Sequence, residues 1–583
     1  MDRRRFLAHA SWSAGTTFIP WGNNSPISQG AVEASSRLEF SPKKVRRRFA
    51  VATVHERASV AARDIFRAGG NAVDAAIAAS FMLSVVDGHN SGIGGGCFAL
   101  IRNPAGEFFA LDGREQAGAA ATKDMFLKNG QPQPEWSQIG PLAAGVPGQV
   151  AALERLSKQF GKLSWEMLVA PAIDAARNGF EMGRLANVVR SHAKELQRFE
   201  ETKRILFPDG NLPTATTRLR QPDLGATLEL IARDGAKAFY QGPIASAITD
   251  YLSRQGGILT NEDFASYNVI QRDPIHTKYR QTRVIGFPPP SSGGIHVAQM
   301  LGMLECFDLR SLWQREPATV YHLWLEVMQR AMADRAHWLG DADYAKVPLG
   351  LLDPGYLLAR ASEIQLGRAN SVAGHGMPPG AEKQFFGEKH TTHLTTADSD
   401  GWVVAMTQTI NTSFGNKMYV PGTGIVLNNE MDDFSIAPGV ANAFGLIGAE
   451  ANAIAPGKRP LSSMSPTIVI NSKGEPMLTC GAAGGPRIIT STLQIICRVI
   501  DLGQDIAEAL QAPRVHQQWR PAEAMVEEKL DTSLRTKLAG WGHTIATTSA
   551  LATAQGIAWT NDGQLQAAAD SRAGGIAITE PTA

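Results

Sequence analysis

A β-hairpin that begins with a threonine is the feature that most constrains this sequence. Small, polar and apolar residues mix from Thr392 to Asp398, the turn residues Ser399-Asp400-Gly401 follow, and a second β-rich run covers Trp402 to Met406. Turn residues between two extended runs are typical of a hairpin. We therefore predict two paired strands deep inside a chain of 583 residues, with Thr391 where the first strand begins.

A threonine in this position can act as a nucleophile only under one condition. Its hydroxyl is weakly nucleophilic, and activation without a histidine uses the α-amine of the same residue as the base. That amine exists only if the peptide bond between His390 and Thr391 is cut, so the motif suggests self-cleavage. Taken alone, the pattern is more often a Thr-rich strand with ordinary cross-strand contacts.

The charge and hydropathy of the chain argue against nucleic acid and membranes as partners. Lys plus Arg (56) nearly balance Asp plus Glu (55), and no long basic patch follows the first 50 residues. Hydrophobic residues make up 44% of the chain, without an uninterrupted apolar stretch long enough to span a bilayer. We expect a globular protein without an integral membrane segment.

The first residues resemble a twin-arginine export signal. Arg3-Arg4-Arg5-Phe6-Leu7 is followed by a weakly apolar stretch to Trp21 and then by polar residues. We expect residues 1–36 to be an export signal and flexible tail, cut between Trp21 and Ser36, which predicts a periplasmic or secreted protein. The alternative is an unstructured basic tail.

The cysteines predict neither disulfides nor a metal site. Cys97, Cys306, Cys480 and Cys497 contain no CxxC pair and are too sparse for a disulfide framework. Each lies among apolar neighbours, which predicts buried free thiols. We expect no metal and no cofactor.

Helix and strand signals alternate along the chain. We predict a strand over Phe49–Val54, a helix over Ser59–Ala68 and a second helix opened by Asn71 and Asp74, with one apolar face formed by Val73, Ile77, Phe81 and Met82. Residues 147–339 are predicted mostly helical, with a long amphipathic run over 318–338, and strands dominate from Thr391 until a helix over 489–499. Strand-rich layers beside helical blocks indicate a layered α/β architecture.

Several polar groups could join Thr391 in one site. Gly484 and Gly485 follow a predicted strand, so their amides could form an oxyanion hole, or simply a tight turn. Ser462 and Ser463 could bind a carboxylate or cap a turn. Arg114, at a strand end, offers a fork matched to a carboxylate, although such an arginine is usually an ordinary surface residue.

A further group of polar residues could bind an ammonium group. Asn411 lies in a small polar cluster, and Glu430 and Asp433 lie in an acidic one. Paired carboxylates on a loop are more often solvated turn residues. With Arg114 and the serines, these groups would recognise a zwitterion beside an activated hydroxyl.

A set of motifs in this order resembles the γ-glutamyltransferase family, whose members are also called γ-glutamyl transpeptidases or glutathione hydrolases. The resemblance runs from about Phe49 to the C-terminal region. It rests on Gly69-Gly70-Asn71-Ala72-Val73-Asp74-Ala75-Ala76, Gly145-Val146-Pro147-Gly148, Thr391-Thr392-His393, Asn428-Asn429-Glu430-Met431-Asp432-Asp433-Phe434 and Arg459-Pro460-Leu461-Ser462-Ser463-Met464-Ser465-Pro466-Thr467.

The resemblance implies a fold, a maturation step and a role for each candidate residue. The fold would be the four-layer αββα sandwich of N-terminal nucleophile hydrolases, and self-cleavage would give a large subunit (37–390) and a small subunit (391–583) that form one catalytic domain as a heterodimer. The substrates would be glutathione and other γ-glutamyl amides, with water, amino acids or dipeptides as acceptors. The resemblance implies that Thr391 is the nucleophile, that Thr409 holds Thr391 in place, and that Gly484 and Gly485 bind the oxyanion. It also implies that the α-carboxylate of the substrate is bound by Arg114, Ser462 and Ser463, and that its α-amine is bound by Asn411, Glu430 and Asp433.

Two positions depart from many bacterial relatives. Those enzymes have glutamine at the position of Glu430 and a tyrosine at that of Phe444, whose hydroxyl helps to hold a lid, here about Pro438 to Gly448. Phe444 cannot make that hydrogen bond, so the resemblance leaves room for larger acyl groups. A cephalosporin (glutaryl) acylase-like amidase therefore remains an alternative, as does an exported binding protein without turnover.

Overall fold

Two antiparallel β-sheets lie face to face at the centre of the computed structural model, which describes residues 48–379, 391–436, 442–443 and 450–580. The first sheet contains β1 (Phe49–Thr53), β2 (Gly96–Arg102), β3 (Phe108–Gly113), β4 (Ile270–Arg272), β7 (Thr392–Asp398), β8 (Val403–Thr409) and β13 (Ile576–Glu580). The second contains β5 (Ile275–Tyr279), β6 (Thr282–Gly286), β9 (Thr467–Ile470), β10 (Pro476–Ala483), β11 (Thr553–Trp559) and β12 (Leu565–Ala569). Their spatial orders are β13-β1-β7-β8-β2-β3-β4 and β12-β11-β10-β9-β6-β5.

Side-chain alternation gives each sheet an inner and an outer apolar face. On β1, Ala50 packs between the sheets with Ile468 and Ile557 of the second sheet, whereas Phe49 and Val51 pack on the opposite side against helices. Successive strand residues point to opposite faces, so both sides of the first sheet are covered. The predicted hairpin is confirmed, because β7 and β8 are antiparallel neighbours at the centre of the first sheet.

Helices cover both outer faces. The core on the outer side of the first sheet includes α1 (Glu56–Arg67), α2 (Ala72–Val86), α3 (Gln149–Phe160), α4 (Trp165–Asn178), α5 (Pro222–Asp234) and α6 (Pro243–Arg254). The core of the second sheet includes α7 (Gly293–Leu304), α8 (Pro317–Trp338), α9 (Pro354–Ser362), α10 (Arg487–Ile500) and α11 (Thr532–Gly540). The order helix, sheet, sheet, helix confirms the predicted αββα layering.

Shorter elements connect these layers. The short helices are Pro134–Gln138, Leu185–Ser191, Ala193–Leu196, Glu200–Leu206, Ala236–Tyr240, Asn261–Ala265, Leu309–Arg315 and Ile506–Gln511. The remaining strands are Leu127–Lys128 with Gln131–Pro132, Phe180–Glu181 with Arg218–Leu219, Tyr419–Val420 with Ile425–Val426, and the trio Val515–Gln517, Ala524–Glu527 and Ile545–Thr548.

Helix α2 begins as predicted but is buried more completely than predicted. The Asn71 side chain accepts from the backbone N–H of Asp74, and the Asp74 carboxylate accepts from that of Asn71, which is a capping box. The prediction of a single apolar face is wrong, because every residue of α2 is buried. Its alanines allow neighbouring elements to approach from all sides.

Residues 147–339 are mostly helical, as predicted, but they also include the β5–β6 hairpin, which pairs with β9 and contributes two strands to the second sheet. Two other expectations need correction. Cys306 is exposed, whereas the other three cysteines are buried free thiols. Helix α1 begins at Glu56, three residues before the predicted start, because the His55 side chain accepts from the Arg57 N–H as its N-cap.

Some predictions fall on residues that the structure does not describe. They concern the export signal within residues 1–36, His390 at the cleavage site, and Phe444 with most of the lid segment. All described residues belong to one compact unit. Within the described ranges, every helix is too short or too polar to cross a lipid bilayer.

Candidate active site

Thr391 lies where the sequence places it, directly before β7, and it is buried. The antiparallel register pairs Thr392 with Gln408 and His393 with Thr407, so the next step places Thr391 alongside Thr409 at the end of β8. The Thr391 Oγ1 has no hydrogen-bond partner among the described residues. Buried hydroxyls are normally paired, so this orphaned atom is a candidate reacting group.

The second sheet brings the Gly484 turn next to Thr391. Thr395 of β7 faces Thr479 of β10, with 3.1 Å between their Oγ1 atoms. Two residues on, Gly481 faces His393, because a Cβ on this glycine would lie 2.4 Å from the imidazole Cε1. If the same spacing continues two residues back along β7 and two residues forward along β10, Thr391 faces Ala483, the residue before Gly484. Since residues 391, 393 and 395 share one side of the strand, the Thr391 side chain points between the sheets.

Gly484 and Gly485 form the turn between β10 and α10 that the sequence predicted. Their φ angles are 132° and 64°, which lie in the left-handed region that favours glycine. Neither amide N–H donates to another described residue. Two adjacent amides without an acceptor among the described residues could bind an oxyanion formed on a group at Thr391.

Arg114 is fully buried, so the surface alternative for this residue is wrong. Its Nη1 lies 2.8 Å from Glu430 Oε1 and 3.2 Å from Glu115 Oε2, and its Nη2 lies 2.5 Å from Asp433 Oδ2. The Nε donates to the Pro460 carbonyl at 3.2 Å. The groups predicted to bind a carboxylate and an amine therefore form one ion-pair network.

Glu115 belongs to this network and was not identified from the sequence. A Cβ on Gly96 would lie 2.6 Å from Glu115 Oε2, and Gly96 pairs with Thr409 across β2 and β8. Burial and the negative charge of Glu430 raise the pKa of Glu115 well above its ordinary value, and burial also raises the pKa of Glu430. Two buried carboxyl groups this close favour a shared proton.

Asn411 links this network to Thr409. The Asn411 backbone N–H donates to Thr409 Oγ1 at 2.8 Å, and its Nδ2 donates to the Asn429 carbonyl at 2.9 Å. Its φ of 74° lies in the left-handed region, which asparagine tolerates. The Asn411 Oδ1 is buried and has no partner among the described residues, so it can accept a hydrogen bond from a ligand.

Ser462 and Ser463 are fully buried beside the same network. Leu461, directly before them, provides a carbonyl 3.4 Å from Arg114 Nη2. The Asn452 side-chain amide connects the acidic loop to the segment before the serines, since it donates to the Asp433 carbonyl at 2.6 Å and accepts from the Leu461 N–H at 3.0 Å. The contacts therefore join the Arg114 network to the loop of Ser462 and Ser463, and strand pairing places Thr391 alongside Thr409, to which Asn411 is bonded.

Among the described residues, one group has the composition of a metal site. His322, Glu326 and His543 place their ligand atoms within 4.8 Å of one another. Their own contacts explain the arrangement, because His322 Nδ1 and His543 Nε2 share a hydrogen bond of 2.8 Å and Glu326 pairs with Arg330 at 2.7 Å. This group joins α8 to the loop after α11 and lies outside the Thr391 network.

Comparisons with known proteins agree with this geometry. The family model described as Gamma-glutamyltranspeptidase matches residues 58–579. The glutathione hydrolase proenzyme of Escherichia coli (strain K12) is 39% identical over 551 residues, which cover 94% of this chain and 93% of that protein.

Two solved structures share the fold. The cephalosporin acylase from Bacillus halodurans has a TM-score of 0.82 at 27% identity, covering 94% of this chain and 98% of that chain. The γ-glutamyltranspeptidase of Helicobacter pylori has a TM-score of 0.53 at 39% identity, covering 54% of this chain and 91% of that chain. Together with the family match and the N-terminal nucleophile type of layering, these similarities show that the chain belongs to the γ-glutamyltranspeptidase family.

Proposed function

We propose that this chain is a self-processing γ-glutamyltransferase that acts through the hydroxyl of Thr391. The observation that carries the proposal is the buried Thr391 Oγ1, which has no partner among the described residues. The contacts of Thr395 with Thr479 and of His393 with Gly481 support a position for it near the turn of Gly484 and Gly485. Membership of the family supports both the activity and the maturation step.

Maturation uses the same hydroxyl as catalysis. Thr391 Oγ1 attacks the carbonyl carbon of His390, the C–N bond to Thr391 breaks, and water hydrolyses the resulting ester. The products are a large subunit that ends at His390 and a small subunit that begins at Thr391, and the two remain associated as a heterodimer. The released α-amine of Thr391 then serves as the base for later turnovers.

Each turnover passes through an acyl-enzyme. The α-amine accepts the hydroxyl proton while Oγ1 attacks the γ-glutamyl carbonyl, and the N–H groups of Gly484 and Gly485 stabilise the oxyanion. The amine of the substrate leaves with a proton, and the γ-glutamyl group stays on Thr391. Water or the amine of an amino acid or dipeptide then resolves this ester, which gives hydrolysis or transfer. Thr409, alongside Thr391, holds the nucleophile in place.

The ion-pair network recognises the two charges of the γ-glutamyl head group. Arg114, Ser462 and Ser463 bind the α-carboxylate, and Asn411, Glu430 and Asp433 bind the α-ammonium. Three carboxyl groups around one guanidinium leave an excess of negative charge, which suits an ammonium group. The orphaned Asn411 Oδ1 is a further acceptor for it. Glutathione and other γ-glutamyl amides carry this head group.

The experiment that tests this proposal is a comparison of wild type with Thr391→Ala. We expect purified wild type to run as two chains on a denaturing gel, with one N-terminus at Thr391, and to release the amine from a γ-glutamyl anilide. Thr391→Ala should remain one chain and release none, since one hydroxyl serves both steps. A wild type that stays uncut, or a Thr391→Ala variant that is cut normally, contradicts the mechanism.

A second candidate activity is that of a glutaryl acylase. The similarity to the cephalosporin acylase from Bacillus halodurans favours it, as that protein covers 94% of this chain. A glutaryl group keeps the carboxylate and lacks the α-ammonium, so it would leave the negative network unpaired. We therefore expect γ-glutamyl anilide to be cleaved with a higher kcat/KM than glutaryl anilide, and the reverse order would favour the acylase.

Export to the periplasm by the twin-arginine route belongs to the same proposal. Its support is the Arg3-Arg4-Arg5-Phe6-Leu7 sequence at the start of the chain. We expect replacement of Arg3 and Arg4 by lysine to retain the protein in the cytoplasm of a bacterial host. Unchanged recovery in the periplasmic fraction would contradict this route.

A further inference from the structure

A buried arginine of helix α8 contacts Ser463, which together with Ser462 forms the serine loop. Arg335 is 2% exposed, its Nε donates to Ser292 Oγ at 2.8 Å, and its Nη2 donates to Ser463 Oγ at 3.2 Å. Ser292 in turn donates to the Ser462 carbonyl through its backbone N–H at 2.6 Å and through its Oγ at 2.7 Å. One guanidinium therefore supports both residues of the serine loop.

These contacts leave the hydroxyl protons of Ser462 and Ser463 available to a ligand. Ser463 Oγ accepts from Arg335, and Ser462 Oγ accepts from the Met464 N–H at 3.2 Å. A hydroxyl carries a single proton, and neither proton has an acceptor among the described residues. An oxygen that accepts from a fixed donor keeps its own proton for another group, so both hydroxyls are prepared to donate to an anion.

The charge balance of the site calls for a second cation. Arg114 is surrounded by the carboxyl groups of Glu115, Glu430 and Asp433, so this network by itself does not attract a carboxylate. Arg335 contributes a positive charge one hydroxyl away from the position proposed for the substrate carboxylate. A hydroxyl polarised by a guanidinium is also a stronger donor than a neutral one.

We infer that Arg335 is a positioning residue for the carboxylate of the substrate: it orients the Ser463 hydroxyl and supplies the positive charge that the Arg114 network lacks. This inference rests on the proposed function, because it assumes that Ser462 and Ser463 bind that carboxylate. Arg335 acts through Ser463, to whose hydroxyl its Nη2 donates.

Three anilide substrates separate the head-group charges. The γ-glutamyl anilide carries both charges, the glutaryl anilide lacks the ammonium, and the 4-aminobutyryl anilide lacks the carboxylate. For Arg335→Gln we expect KM for the γ-glutamyl and glutaryl substrates to rise by about 10- to 100-fold, the range of a lost hydrogen bond to a charged group, with a much smaller change in kcat. The kcat/KM for 4-aminobutyryl anilide should change by less than about threefold. Arg335→Lys should restore part of the loss because it keeps the charge.

Arg330→Gln is the matched control, since Arg330 is a buried arginine of the same helix that pairs with Glu326 and Glu363 instead of the serine loop. It should leave the ratio between the three substrates unchanged. If Arg335→Gln lowers kcat/KM equally for all three substrates, or leaves all three unchanged, the inference is wrong.

Ser463→Ala covers the case in which Arg335→Gln does not mature. We expect Ser463→Ala to show the same selective rise in KM for the substrates that carry a carboxylate, and equal losses on all three substrates would overturn the inference. The proposed function fails separately, by a wild type that releases no amine from γ-glutamyl anilide.

Discussion

The contact between Gly481 and His393 sets how the second sheet lies against the strand that follows Thr391. A Cβ on Gly481 would lie 2.4 Å from Cε1, 2.5 Å from Nδ1 and 2.8 Å from Nε2 of the His393 imidazole. The φ of Gly481 lies outside the left-handed region, so alanine is accommodated by the backbone and the conflict is purely steric. Gly481→Ala therefore tests sheet packing without adding backbone strain.

The ring has little freedom to move away. His393 is fully buried, and its Nδ1 shares a hydrogen bond of 2.9 Å with Thr407 Oγ1. The closest contact is about 1 Å shorter than the 3.4 Å at which ordinary contact begins. Adding one methyl group to a packed interior costs about 1–3 kcal/mol. We expect Gly481→Ala to lower the free energy of unfolding by that amount.

The same displacement should slow maturation. Thr391 lies two residues before His393, and Gly484 lies three residues after Gly481, so any separation of β7 from β10 moves the nucleophile away from the oxyanion amides. We expect the Gly481→Ala precursor to give the two chains more slowly on a denaturing gel. Chemical denaturation in a Thr391→Ala background, in which the chain should stay uncut, gives the free energy of unfolding.

A double-mutant cycle with His393→Ala can refute this reasoning. Without the imidazole there is room for the new methyl group, so Gly481→Ala should cost less than about 0.5 kcal/mol in the His393→Ala background. An equal cost in both backgrounds would show that the ring is not the obstacle. Gly540→Ala is the control, because a Cβ at Gly540 meets no atom within 4 Å and the residue ends helix α11. It should leave both stability and maturation unchanged.

Two further predictions concern the polar network. Arg114→Lys should raise KM for γ-glutamyl anilide far more than it slows chain cleavage, because one ammonium cannot reproduce the fork that now contacts three carboxyl groups, and equal effects would indicate a structural role instead. Asp432, which accepts from Ser137 Oγ at 2.5 Å, has its pKa raised by burial to about 6. A raised pKa means that the folded state holds the proton more tightly, so wild type should lose roughly 3 kcal/mol relative to Asp432→Asn as the pH rises from about 4 to about 6. Denaturation curves measured across that window check it, and parallel pH profiles of the two proteins would contradict it.

Local sequence signals were sufficient for the elements that carry their own start and stop residues. The turn at Ser399–Gly401 placed the β7–β8 hairpin, and the Asn71–Asp74 capping box placed the start of α2. The β5–β6 hairpin was missed because β5 lies at the edge of its sheet and is mostly exposed or half-buried, so its apolar pattern is weak. Its pairing with β9 joins residues far apart in the chain, which local patterns do not encode.

The residues of the candidate site were predicted from the sequence, but the contacts between them were not. Thr409 was implied by the family resemblance and the other candidate residues were found from their own motifs, whereas the ion pairs of Arg114 join it to Glu430 and Asp433, more than 300 residues away. Burial of Arg114 follows from those distant partners, so its position at the end of β3 could not reveal it. Glu115 was missed for the same reason, since a glutamate after an arginine at a strand end resembles a solvated pair.

The position of Glu115 changes how the acidic residue at 430 should be understood. Two buried carboxyl groups beside one guanidinium cannot both stay ionised at low cost, so the proton shared between Glu115 and Glu430 determines how much negative charge faces the substrate. An incoming ammonium group would favour loss of that proton, because a second positive partner stabilises the second carboxylate. A glutaryl group brings no such charge and leaves the proton in place. Preference for γ-glutamyl over glutaryl substrates should therefore depend on residue 115 as well as on residue 430, although only the latter lies in the acidic loop that the sequence singles out.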